Sequence, residues 1–300
     1  MRFLHRLTHR RPILLDGATG TELTRRAVNT GLPLWSAGAL LAAPEVLFQI
    51  HTDYLHAGAE IITANTFRTH CRSLDKGGLG HRARELTSQA VRIAREAIQK
   101  YPHAGERFVA GSLAPLEDCY SPELVPPQGE CEREHAEMAQ HLAEAGADLI
   151  LVETMNTVRE AVAATQAARA TGLPVLASFV CRTDGGLFSG ESVTEAVNAI
   201  APLGVAGLLI NCTPTTTIHQ PFKELSTALQ RQPAPRSMIR GLYANIGHTN
   251  DVDGWTHTAN VTPLEYARLA AEWLKLGAGL IGGCCGTTPA HIAAVRMVIN

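Results

Sequence analysis

Cysteine is the residue type in this chain whose spacing most plainly suggests chemistry. Cys212 closes the apolar run Gly-Leu-Leu-Ile-Asn-Cys, and Cys284 and Cys285 stand side by side in Gly-Gly-Cys-Cys-Gly-Thr-Thr-Pro. Adjacent cysteines among glycines are poor packing material, because glycine in a strand leaves nothing for a neighbour to pack on. Three thiolates brought to one point form a tetrahedral zinc site with its fourth position open, the arrangement of a catalytic rather than a structural ion. Zinc lowers the pKa of a bound thiol. Three thiolate ligands already overcompensate its charge, so a fourth sulfur stays nucleophilic, which suits sulfur alkylation better than water activation. Two further readings stand beside this one: inert buried thiols, and a glycine-rich cradle for phosphate after the last strand of a barrel. Cys71, Cys119, Cys131 and Cys181 read as buried packing residues.

Cys212 is far from the pair in sequence, so the fold must bring them together. Strand-like apolar runs at 12–16, 60–65, 108–112, 148–153, 175–180, 206–211, 241–246 and 280–284 alternate with helical patterns along the chain. Amphipathic stretches lie at 45–56, 80–100, 132–145, 156–171 and 263–276, and Thr288-Pro289 signals the start of a last helix. Eight strands each followed by a helix predict an α/β protein, a parallel (β/α)8 TIM barrel, formed as one domain over residues 1–300.

A repeat sharpens this expectation. Gly58, Gly146, Gly204 and Gly277 each precede an apolar run that is nearly free of polar side chains. A glycine suits the left-handed end of a helix, and an unbroken apolar run suits a strand buried on both faces. Counting seven residues on from each glycine reaches Asn65, Glu153, Asn211 and Cys284. Polar or reactive residues thus recur at one strand end, the C-terminal end where barrel enzymes carry their chemistry. Cys212 and Cys285, one residue further on, fall at equivalent places on alternate strands and are expected to face each other. Long connections at 66–79, 113–130 and 247–262 lie on the same side. Residues 251–255 within the last of them read as part of a lid, or as plain surface loop. The segment 232–236, with two prolines, reads as a loop between helix and strand.

Composition bounds the partners. Net charge is -2, aromatics are 5% and charged residues 18%, which argues against a nucleic-acid or membrane-surface partner. No apolar run is long enough to span a bilayer. The basic start, MRFLHRLTHRRP, lacks a secretory apolar core and is expected to be unstructured. Seven cysteines without an export signal imply reduced thiols and a cytoplasmic protein. For Asp16 a turn or helix-cap role is the alternative to a ligand role. A carboxylate such as Glu153 at a buried strand end is costly unless it has a partner.

The motifs LLDGATGTEL, LWSA, ANTF, VAGS, LVET, INC, YANIG and GGCCGTTP together resemble the zinc-dependent homocysteine S-methyltransferases over nearly the whole chain. The resemblance implies zinc held by Cys212, Cys284 and Cys285. It implies Asp16, the Gly17 backbone and Glu153 as the residues that hold the amino and carboxylate groups of homocysteine. Trp35 and Asn245 resemble donor-side residues, Phe67 a pocket wall, and Asn65 joins them as a substrate-binding candidate. Small molecules are then the partners: homocysteine and a methyl donor. LWSA looks most like members that use a sulfonium donor, S-methylmethionine or S-adenosylmethionine. Thr154 stands where betaine-using members carry Tyr, a departure from the betaine-type site. Methylfolate is the second donor reading, betaine the third, and a selenocysteine acceptor is a further alternative. A non-catalytic zinc- or thiol-binding barrel is the reading from another class.

Overall fold

The apolar runs pair as parallel strands because each is buried on both faces and must satisfy its backbone in a neighbour. In the computed structural model, described for residues 2–9, 11–102, 105–232, 238–250, 254–256 and 261–299, they close into one barrel. The barrel strands are β1 (Ile13–Leu14), β2 (Ile61–Ala64), β3 (Phe108–Leu113), β4 (Leu149–Met155), β5 (Val175–Phe179), β6 (Gly207–Pro214), β7 (Ile239–Asn245) and β8 (Leu280–Gly283). Their order is β1-β8-β7-β6-β5-β4-β3-β2, and a backbone bridge between Leu15 and Ile61 joins the two ends. The outer helices are α1 (Pro44–Ala57), α2 (Ala83–Lys100), α3 (Gln128–Glu144), α4 (Val158–Ala170), α5 (Val193–Ile200), α6 (His219–Gln230), α7 (Pro263–Lys275) and α8 (Pro289–Ile299). The expected (β/α)8 architecture is therefore observed. The four repeat glycines have φ of 106°, 85°, 76° and 89°, the left-handed region that ends the preceding helix.

Strand register explains why counting seven residues from each glycine works. Across hydrogen bonds Asn211 lies opposite Tyr243, which lies opposite Gly282, so Asn211 is level with a residue two short of Cys284. The same two-residue offset separates Glu153 from Asn211, Asn65 from Glu153, and, through β1, Cys284 from Asn65. Four steps of two residues give a stagger of eight around the barrel, the shear of this fold. Residues at equal distances from the glycines on alternate strands thus occupy one layer.

Leu151, Leu176, Leu209 and Leu280 fill the barrel, in a cluster separate from the layer between strands and helices. With side chains alternating along a strand, the next positions on this inner face are Glu153, Ser178, Asn211 and Gly282. The apolar filling therefore gives way to a polar layer toward the C-terminal end.

The N-terminus departs from expectation. Residues Arg2–Leu7 form a helix rather than an unstructured start. Phe3 is 2% exposed and meets Phe108 edge-on at 5.3 Å, so it closes the floor of the barrel. Arg6 anchors the helix by donating to both oxygens of Glu60, at 2.7 and 3.0 Å. Apolar Phe3 gains a place in the core that the basic composition of the segment conceals. After β7, residues His248–Asn250 and Gly254–Thr256 pair as an antiparallel hairpin. The remainder of the lid reading, at 251–253 and 257–260, lies outside the described residues, as does 233–237 of the proline-containing loop. No helix among the described residues is long and apolar enough to cross a membrane.

Replacing Phe3 with Ala should lower stability by about 3 kcal/mol while leaving metal content unchanged. Urea unfolding checks this, and a loss below about 1 kcal/mol would show that the floor is held by other contacts.

Candidate active site

Two strands break register at the rim, and both breaks serve the cysteines. The β4–β5 pairing shifts between Val152 and Met155, and the β6–β7 pairing shifts between Asn211 and Pro214. Inside these bulges Thr154 and Cys212 have φ of 62° and 50°, a left-handed conformation that costs free energy in residues other than glycine. Regular alternation would point Cys212 away from the face used by Asn211. The bulge re-aims it.

The two bulges are tied together. Asn211 Oδ1 accepts from the Thr154 N–H at 3.0 Å and from the Ser178 hydroxyl at 2.7 Å, and its amide donates to Thr154 Oγ1 at 2.8 Å. The Thr154 hydroxyl donates in turn toward Cys212 Sγ, 4.0 Å away. Asn245 donates to the Cys212 carbonyl at 2.9 Å, while its own Oδ1 is buried without a partner.

On β8, the Thr287 hydroxyl donates to the Cys284 carbonyl at 2.7 Å, and Gly286 turns the chain with φ of 86°. Gly283 has no room for a side chain, since a Cβ there would lie 2.3 Å from Thr287 Oγ1. With both segments pinned, the sulfurs of Cys212, Cys284 and Cys285 all lie within 4.8 Å of one another. Cys212 and Cys284 are 2.7 Å apart, too far for a disulfide. The other two thiols donate to Cys284, which holds its thiol well below the ordinary value. Cys212 is pushed up by its bonds to Cys284 and Cys285, then by burial. Cys285 is also raised, its bond to Cys212 being outweighed by its bond to Cys284 and by burial. Three convergent sulfurs, with no carboxylate or imidazole in the set, fit a soft divalent cation, whose charge would allow all three to ionise.

Two carboxylates share this rim. Asp16 accepts from the Thr63 N–H at 2.7 Å and the Thr63 hydroxyl at 2.9 Å, and its own carbonyl accepts from the Gly283 N–H at 2.9 Å. Glu153 accepts from the Ser112 hydroxyl and, at 3.0 Å, from Tyr243. Neither has an ion-pair partner among the described residues. Burial pushes Asp16 up to about 7 and Glu153 up to about 8, with repulsion from Cys284 adding to both. Gly17 follows Asp16 where a Cβ would lie 2.8 Å from Tyr54, so its backbone is left bare.

Trp35, Phe67 and Asn65 form a second group. Trp35 meets Phe67 edge-on at 5.6 Å, and Asn65 donates to the Ser36 carbonyl at 2.8 Å, holding the turn that carries Trp35. Their hydrogen bonds and ring contacts run within this group or to its flanks, not to the cysteines. Tyr120 and Phe188 pack against the sulfur cluster instead, their rings 5.2 Å apart. The sequence reading named neither, nor Ser112 and Tyr243. Inward alternation from Ala110 and Leu209 signals Ser112 and Asn211. Nothing local signals the bulges. Cys119, Cys131 and Cys181 are buried as expected, but Cys71 is exposed, because it begins a short helix on the surface loop after β2.

The model of the homocysteine S-methyltransferase family matches residues 13–299. The chain belongs to this family. It is 32% identical to the homocysteine S-methyltransferase of Escherichia coli strain K12, over 95% of this chain and 94% of that protein. It is 31% identical to homocysteine S-methyltransferase 2 of Zea mays, over 96% of this chain and 90% of the relative. The metallated form of the homocysteine methyltransferase MmuM from Escherichia coli superposes with a TM-score of 0.82 at 29% identity, covering 98% of both chains. As a member, the protein is a zinc-dependent methyltransferase that forms methionine from homocysteine. Cys212, Cys284 and Cys285 are the described side chains grouped to hold the metal.

Thr154→Val removes the hydroxyl linking Asn211 to Cys212 and should weaken metal affinity about tenfold, read by competition with a chelator; unchanged affinity would show that the link is without effect. Methionine, which has no ionisable thiol, isolates the two carboxylates. Protonation would remove the negative charge available to an ammonium ligand, so methionine should bind about tenfold or more weakly as pH falls from about 8.5 to about 6. Calorimetry at several pH values checks the sign, and stronger binding at the acidic end would contradict it.

Proposed function

We propose that this enzyme takes its methyl group from a sulfonium donor, S-methylmethionine or S-adenosylmethionine, with homocysteine held by Asp16, Gly17 and Glu153. The observation that carries the acceptor site is the pairing on one rim of a three-thiol cluster with two buried carboxylates that lack a cationic partner. An ammonium group would supply the missing charge, and hydrogen bonding to ionised carboxylates is strong in a dry pocket. Zinc held by Cys212, Cys284 and Cys285 would keep the acceptor sulfur as a thiolate near neutral pH.

Ser112, Tyr243 and Thr63 fix the two carboxylates, so the acceptor's head is oriented without reorganisation. The acceptor sulfur forms a bond to the methyl carbon as the donor's sulfur–carbon bond breaks and its electron pair returns to the donor sulfur. Positive charge is lost at the donor in this step. Tyr120 and Phe188, next to the cysteines, offer π faces to that cation, and Asn245, bonded to the Cys212 carbonyl, keeps a buried Oδ1 without a partner among the described residues. Trp35 and Phe67 form a further aromatic pair for the donor's outer part. Their neutral, aromatic character favours a sulfonium over methylfolate. Soluble small molecules are the partners in this reading, and the cytoplasm is the compartment that keeps the three thiols reduced.

Methionine formation from homocysteine, with S-methylmethionine, S-adenosylmethionine, methyltetrahydrofolate and betaine supplied separately to zinc-loaded protein, decides the donor. Turnover is expected with a sulfonium only. Turnover with methyltetrahydrofolate or betaine and none with either sulfonium would overturn the donor assignment.

A further inference from the structure

The other end of the barrel carries a second constellation. A cavity of about 390 Å³ opens beneath the floor, lined by Arg6, Arg11, Arg107 and Arg296 together with Glu60 and Glu106. Its residues lie at or before the starts of β1, β2 and β3 or in the last turns of α8, so it lies at the N-terminal ends of the strands, opposite the cysteines. Four guanidinium groups meet two carboxylates there. Glu60 is already engaged, by both oxygens with Arg6 and by Arg11 at 3.1 Å. Glu106 faces Arg2 at 4.0 Å.

Arg107 and Arg296 form no direct ion pair among the described residues, Glu60 acting on Arg107 only at longer range. Arg107 Nη1 donates only to the carbonyl of Glu106, at 3.0 Å, and its Nε is buried with no acceptor. A buried guanidinium nitrogen without a partner loses its hydration uncompensated. Burial also pulls Arg107 below its ordinary value; attraction to Glu60 opposes this, and smaller repulsions from Arg11 and Arg296 add to it. Gly58 makes room for Arg296: a Cβ there would stand 2.4 Å from its Cδ. Like charges gathered around a concavity, with donors unsatisfied, form a site for an anion that accepts several hydrogen bonds at once.

We propose that this cavity is an oxyanion site for a phosphate group, with Arg107 and Arg296 as its principal ligands, separate from the methyl-transfer pocket. The forked geometry of arginine matches the oxygens of phosphate. The volume exceeds what one phosphate needs, so a small phosphate monoester fits as well as the free ion.

Calorimetric titration of zinc-loaded protein with inorganic phosphate and, separately, ribose 5-phosphate tests this. Saturable one-to-one binding is expected, weakened at least about tenfold in R107M/R296M. Tighter binding of the ester would identify a phosphorylated metabolite, and equal binding the free ion. Arg296 is solvent-exposed on α8, so R296Q alone should fold normally and still weaken binding. Both variants should keep zinc content and methyl transfer. Absence of saturation by either probe up to about 20 mM, or equal affinity in wild type and both variants, would overturn the proposal.

Discussion

A sheet of parallel strands can close on itself only if each strand advances past its neighbour, and the site follows from that stagger. Two residues of offset for every two strands bring the ends of β2, β4, β6 and β8 to one height. Glu153, Asn211 and Cys284 then share a layer although hydrogen-bonded register separates them. Closure through Leu15 and Ile61 places Asp16 beside Thr63 and Gly283, so the last acidic group joins the same rim. A barrel of different shear would scatter these residues over different heights.

Electrostatics gives this rim its character. Three thiols and two carboxylates are withdrawn from water around one mouth, without a cation among their hydrogen-bond partners. The protein bears that cost with hydroxyl and amide donors: Ser112 and Tyr243 on Glu153, Thr63 on Asp16, and the Asn211–Thr154 link on Cys212. Such donors hold each acid in place without neutralising it. The pocket thereby keeps its affinity for cations, a metal at the thiols and, in the function proposed above, an ammonium at the carboxylates. Backbone strain at Thr154 and Cys212 is a second cost borne at the same place, offset by the network that ties the two bulges together. The floor has the opposite sign. There, arginines outnumber carboxylates around the cavity at the N-terminal ends of the strands, and a net charge of -2 for the chain conceals both extremes.

Much of this was legible in the amino-acid order. Alternation of apolar runs with helical patterns, glycines at helix ends, and polar residues seven positions later were enough for the barrel, its functional end and the three cysteines. These signals are local or periodic, and the barrel's shear converts periodicity directly into height. Glu153 was readable as functional from the cost of a buried carboxylate, but its specific role, and that of Asp16, came only through the resemblance, because a lone carboxylate has several ordinary roles. Tertiary structure alone decided what depends on contacts between segments distant in sequence. It re-aimed Cys212 through a bulge, joined Thr154 to Asn211, supplied Ser112 and Tyr243 to Glu153, and set Tyr120 and Phe188 against the sulfurs. It also turned the basic N-terminus into the barrel's floor, since burial of one phenylalanine against Phe108 outweighs the solubility of its neighbours. The three cysteines were therefore determined by sequence as a set. The repeat already implied that Cys212 and Cys285 face each other; their aim onto one point was decided by two left-handed residues that no local pattern encodes, because backbone strain is tolerated only where surrounding packing imposes it.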